Sequence, residues 1–109
     1  MLAKKGESKN DVLSEMPTEY ELFNNYPNPF NPTTTIKYSV PKVGNVKLRV
    51  YNMMGQLIKT LVNDTKAPGF YNIEWNGTNE SNSRVASGIY FYRFESGNFV
   101  ANNKMILIK

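Results

Sequence analysis

From Tyr20 onward, apolar and polar residues alternate with a period of two, the signature of strands with one buried face. Over 33–40, Thr34, Ile36, Tyr38 and Val40 point one way, and Thr35, Lys37 and Ser39 the other. Over 46–51, Val46, Leu48 and Val50 face inward, with Lys47 and Arg49 outward. Asn52-Met53-Met54-Gly55 reads as a tight connection in which Gly55 supplies the positive φ. Leu57 to Val62 continues that hairpin. Both its faces are apolar apart from Lys59 and Thr60, so the pattern leaves its inward set and its sheet open. Asn63 to Gly69 reads as a loop turning at Ala67-Pro68-Gly69. Phe70 to Trp75 alternates again, with Tyr71, Ile73 and Trp75 set against Asn72 and Glu74. Asn76 to Ser83 is a loop by composition. Gly88 to Glu95 is the densest strand, and Phe99 to Lys109 closes the chain.

Ahead of these strands, Tyr20 to Asn24 is a short apolar-polar run. Tyr26-Pro27-Asn28-Pro29-Phe30-Asn31-Pro32 follows it. Proline fixes φ and removes a ladder donor, so this segment is expected as a rigid, extended edge crossing and not as a central strand. Residues 1–18 are polar and weakly patterned, and are expected to be a linker or an expression remnant. Gly6 follows Lys4-Lys5 where a secretory signal would begin its apolar stretch. Asp11 to Met16 has the makings of a helical turn too short to stand alone.

About seven strands, spaced near ten residues apart with no long helix, predict an all-β fold. The expectation is a seven-stranded antiparallel immunoglobulin-like β-sandwich over 19–109. Its core is expected to rest on Trp75, Tyr38, Tyr90 and Tyr92, because aromatic side chains bury the most area per residue.

Composition narrows the chemistry. The 109 residues contain neither Cys nor His. That excludes disulfides, thiolate sites, His-based metal sites and His-dependent triads. Thirteen Lys and Arg against nine Asp and Glu leave a net charge of +4. The charges are scattered among apolar residues, which fits a solvated face and not a nucleic-acid footprint. No apolar run approaches the ~20 residues of a membrane helix.

No catalytic constellation stands out. Glu19 and Glu21 share a strand face, but lie beside a polar lead with nothing to bury them and raise a pKa. Asp64 and Glu80 belong to different polar stretches and show no calcium-loop spacing. The expectation is therefore no enzyme, no cofactor and no metal.

Two strands are apolar on both faces. Tyr90, Tyr92 and Phe94 alternate with Ile89, Phe91 and Arg93; Met105 and Leu107 alternate with Ile106 and Ile108. A sandwich strand needs one buried face only. The surplus predicts either extra cover, for instance by the Pro-rich segment, or a partner surface. A two-sided apolar strand at the terminus is also open to pairing with another chain.

Five segments taken in order carry a family resemblance. They are YPNPFNPTTTIKY from Tyr26, VYNMMGQLIKTL from Val50, GFYNIEWNG from Gly69, VASGIYFYRF from Val85 and KMILIK from Lys104. Together they resemble the type A C-terminal sorting domain of the type IX secretion system of the Bacteroidota. They are also similar to the immunoglobulin-like domain of flagellar hook-capping proteins. The resemblance implies a domain that directs an upstream cargo, joined in cis, through the outer-membrane translocon. Cleavage and cell-surface attachment follow. The implied partners are the translocon and shuttle or sortase proteins, with no nucleic acid and no membrane insertion of its own. The implied location is the periplasm in transit, then the cell surface or the medium. It places partner recognition on Gly88, Tyr90, Lys104, Met105, Ile106, Leu107, Ile108 and Lys109. The structural motif falls on Pro27, Asn28, Pro29, Phe30, Gly55 and Trp75. Asn52 and Asn76 stand where the family often has Asp, an exchange that keeps the turn-capping chemistry. The alternatives are a structural module of the hook-capping kind, or a carbohydrate-binding module using Tyr51, Tyr71 or Phe91.

Overall fold

The structure is a computed structural model that describes residues 16–109. The helical turn expected from residue 11 and nearly all of the 1–18 lead lie outside the described residues. Seven strands form: β1 (Glu21–Leu22), β2 (Thr34–Val40), β3 (Gly44–Asn52), β4 (Leu57–Lys66), β5 (Gly69–Trp75), β6 (Gly88–Ser96) and β7 (Phe99–Leu107). They build a three-stranded sheet, β1-β2-β5, and a four-stranded sheet, β4-β3-β6-β7. All pairings are antiparallel. The fold is the immunoglobulin-like sandwich that the spacing predicts.

The period-two pattern decides the inner faces. Ile36, Tyr38 and Val40 from β2 and Val46, Leu48 and Val50 from β3 are fully buried, as are Tyr92, Phe94, Met105 and Leu107. Trp75 and Phe30 join them. The sheets meet through aromatic contacts with the tilted geometries that ring quadrupoles favour. Trp75 of β5 meets Tyr90 of β6 edge-on at 5.3 Å, and Tyr38 of β2 meets Phe94 of β6 at 5.2 Å. All four aromatics predicted for the core are in it.

Polar groups inside the sandwich are tied. The Trp75 indole N–H donates to the Thr78 carbonyl (2.9 Å), and the Tyr92 hydroxyl donates to the Phe23 carbonyl (2.8 Å). Burial without these partners would cost each group roughly 1–3 kcal/mol.

Strand β4 departs from the sequence reading. Asn63 to Lys66 belongs to the strand and not to a loop, pairing with Gly44 to Lys47 of β3. The polar side chains Asn63, Asp64 and Thr65 are exposed. Strand pairing and an exposed face override weak local propensity here. The structure also settles where Leu57 to Val62 lies. It forms an edge of the four-stranded sheet, with register shifts opposite Leu48/Arg49 and Val50/Tyr51. Two irregularities within six residues scramble the period, so no single inward set could be read.

Candidate functional site

The terminal strand and the proline-rich segment are brought together, although almost 80 positions separate them. The Asn25 side chain sets up the crossing. Its amide donates to Thr34 Oγ1 (2.9 Å), which in turn donates to the Pro27 carbonyl (2.8 Å). Tyr26 pairs with Thr35 of β2. Four residues later the chain reaches the other sheet, where Phe30 forms a parallel bridge with Leu107. The Phe30 N–H donates to the Ile106 carbonyl (2.9 Å), and the Ile108 N–H donates to the Phe30 carbonyl (3.0 Å). The Asn28 side-chain oxygen accepts from the Ile106 N–H (3.0 Å). The Phe30 ring packs on Trp75 at 5.7 Å. The segment crosses between the sheets as its prolines predict, but it is not extended: the chain bends at 27–29 and again at 31–32, on either side of the Phe30 bridge. It also supplies a second neighbour to the end of β7.

This staple changes the reading of the terminal strand. The strand is not free along its outer edge. Residues 106–108 are bonded on both sides, while Val100, Asn102 and Lys104 direct N–H and C=O groups outward with no strand beside them among the described residues. The eight recognition candidates divide by exposure. Tyr90, Met105 and Leu107 are core, and the Tyr90 hydroxyl donates to the Ala86 carbonyl (2.6 Å). Gly88 pairs with Leu107 and is half-buried, as is Ile106. Lys104, Ile108 and Lys109 are exposed, Ile108 at 49%. A partner meeting the folded domain reaches those three and not the buried ones.

The motif residues are placed as follows. Pro27, Asn28 and Pro29 are exposed on the crossing, Phe30 and Trp75 are buried, and Gly55 takes φ +80° in the β3–β4 turn. Asn52 organises that turn: its side-chain oxygen accepts from the Met54 and Gln56 N–H groups, and its amide donates to Gln56 Oε1 (2.7 Å). An Asp could not make the last bond. Asn76 accepts from the Thr78 hydroxyl (2.6 Å). Both asparagines therefore perform the capping expected of them.

Sequence reasoning missed two ties. The Asn103 amide reaches the Phe23 carbonyl (3.3 Å) and the Tyr92 hydroxyl (3.2 Å), joining β7 to the segment after β1. The 76–83 loop closes over β4: the Glu80 N–H donates to the Ile58 carbonyl, and Glu80 Oε2 accepts from the Thr60 N–H. The Lys59 ammonium donates to Thr78 and Asn82, both at 3.0 Å. No spacing signal announces contacts across such distances in the chain. Asp64, expected in a loop, sits on β4 away from Glu80. Among the described residues no three acidic side chains gather. Glu19 and Glu21 are both exposed.

The aromatics proposed for sugar binding separate. Tyr71 stacks on Tyr38 at 5.4 Å in the three-stranded sheet. Tyr51 and Phe91 face each other across β3 and β6 on the outer side of the other sheet. They line an open depression of about 480 Å³ with Met53, Arg93, Glu95 and Asn102.

The FlgD Ig-like domain family matches residues 31–98, more than half of the chain. The protein belongs to that family. Among solved structures, latent PorU from Porphyromonas gingivalis aligns at 21% identity with a TM-score of 0.64, covering 78% of this chain and 9% of that one. PorZ from the same organism, described as an essential bacterial surface component of the type-IX secretion system, aligns at 19% identity with a TM-score of 0.55. It covers 83% of this chain and 11% of that one. FlgD from Xanthomonas campestris, described for hook capping in flagellar assembly, aligns at 21% identity with a TM-score of 0.54. It covers 69% and 55% of the respective chains. These likenesses show the shared fold. The chain spans about a tenth of PorU and PorZ and about half of FlgD. No curated protein matches it.

Proposed function

We propose that the domain is a C-terminal sorting module, a folded address that delivers an attached cargo through the type IX secretion system to the cell surface or the medium. It performs no catalysis itself. The observation that carries this reading is the stapled strand β7. Met105 and Leu107 lock the last strand into the core, the Asn28–Phe30 staple fixes its outer edge at 106–108, and Lys104, Ile108 and Lys109 are exposed. A rigid, exposed strand surface lets a receptor bind without first ordering a flexible segment. Both halves of the staple lie outside the 31–98 family match. The fold shared with PorZ, described as a surface component of that secretion system, supports the same direction.

The structure dictates the test. Deleting residues 104–109 would remove two core side chains and unfold the domain, so surface substitutions are used instead. A Sec signal and a fluorescent protein are placed ahead of residues 1–109 in a bacterium with the secretion system, beside a sorting domain native to that host. Delivery of the wild type, with periplasmic retention of a Lys104→Glu/Ile108→Asp/Lys109→Glu variant that melts normally, is expected. Retention of the wild type while the native control is delivered overturns the reading, as does unchanged delivery of the variant.

A second reading rests on the family match. An immunoglobulin-like module of the hook-capping kind would pack into an assembly. It predicts self-association or binding to a flagellar hook subunit, read by light scattering after gel filtration.

A further inference from the structure

We propose that the outer face of the four-stranded sheet docks an extended acidic segment of a partner protein, using the open edge of β7. The proposal shares Lys104 with the exposed chain-end residues but centres on Arg49 and Arg93, and it does not depend on the sorting reading.

The register assembles this face from three strands. Tyr51 opposes Phe91, which opposes Lys104; Arg49 opposes Arg93, which opposes Asn102; Lys47 opposes Glu95, which opposes Val100. Four cations therefore stand on the face with one acid. That acid is already engaged, since Glu95 Oε2 accepts from Arg93 Nε at 2.6 Å. Arg49 and Arg93 oppose each other directly, an unfavourable like-charge pair. Among the described residues the buried Arg49 Nε makes no hydrogen bond. Two facing arginines whose only neighbouring acid is already engaged favour an incoming carboxylate.

The apolar part of the face completes the site. Phe91 keeps 36% of its surface exposed, and Met53, Met54 and Leu57 at the adjoining hairpin end are 67%, 82% and 48% exposed. The depression between Tyr51 and Phe91 accepts a side chain.

The edge says what form the partner takes. Val100, Asn102 and Lys104 direct backbone groups outward, and the same three residues contribute side chains to the basic face. A strand laid along that edge makes ladder hydrogen bonds, and every second side chain continues the rows that hold Phe91, Arg93 and Glu95. A lipid surface or a polyphosphate offers no alternating N–H and C=O groups to this edge.

The test titrates the full chain against a fluorescein-labelled peptide of alternating Glu and Leu, with alternating Lys and Leu as the counterpart, followed by anisotropy. The acidic peptide is expected to bind. The Arg49→Gln/Arg93→Gln pair is expected to weaken it about tenfold with an unchanged melting temperature, and added salt to weaken it further. Asn102→Pro, which removes an edge donor, is expected to weaken it separately. If that variant melts early, the arginine pair alone decides. Equal binding of both peptides, no binding of the acidic one, or indifference to the arginine pair overturns the proposal. Capture of the domain by phosphatidylglycerol vesicles in the absence of peptide binding overturns it as well.

Discussion

Strand β6 carries aromatic residues at three consecutive positions, and the sandwich treats them differently. Tyr90 and Tyr92 are sealed against the opposing sheet, whereas Phe91 keeps 36% of its surface in solvent. Composition is nearly constant along this stretch, so hydrophobicity alone does not decide burial. The pleat assigns each residue to a face, and a second layer of structure then covers one face only. The contrast extends to chemistry. The buried Tyr92 hydroxyl and Trp75 indole have fixed partners, the Phe23 and Thr78 carbonyls. Among the described residues two buried polar atoms have none, Asn25 Oδ1 and, on the outer face, Arg49 Nε. A protein that optimised stability alone would have little reason to place two arginines opposite each other beside exposed aromatics.

The largest effect should come from testing the two faces with the same substitution. Phe94→Ala removes a ring that touches Tyr38 and Phe99, and should cost about 3–5 kcal/mol in denaturant unfolding. Phe91→Ala should stay within about 1 kcal/mol. Equal losses would show the outer face to be covered, and would end the comparison.

Next comes pH. Burial, with smaller contributions from Tyr71 and Asp64, pushes the Tyr38 hydroxyl up to about 12. Burial raises Tyr92 and Tyr90 in the same direction. The folded state then holds protons that the unfolded chain releases from about pH 10, so stability falls as pH rises between 10 and 12. The expected loss is on the order of 2 kcal/mol from Tyr38 by pH 12, and denaturant midpoints should show less of it in Tyr38→Phe.

The smallest effect concerns the staple. Asn28→Ala deletes the acceptor for the Ile106 N–H and should cost about 1 kcal/mol, read by thermal melting. Hydrogen exchange should accelerate first at Ile106, while the amides of β6 stay protected. Uniform acceleration across both strands would show that the chain end has no separate closure.

Much of this was legible beforehand because alternation is a local signal. The inner residues of β2, β3, β5 and β6 follow from counting by twos, and the prolines from Pro27 to Pro32 announced a crossing. The β3–β4 turn was readable from Asn52 and Gly55, whose chemistry acts within five residues. Strand β4 was not readable. Its two register shifts break the period, and Asn63 to Lys66 is polar enough to resemble a loop. Which of the candidate recognition residues are exposed was not legible, since Met105 and Leu107 are as apolar as Ile108 and packing alone buries the first two.

The sequence by itself determined the class of fold, its aromatic core and the absence of Cys and His chemistry, because these depend on composition and short-range period. Only the tertiary structure decided that Asn28 and Phe30 close the edge beside Ile106. The same holds for Arg49 meeting Arg93 and for Val100 to Lys104 staying open. Each of these depends on strand register and sheet order, which are set by packing between residues tens of positions apart and leave no local mark in the chain.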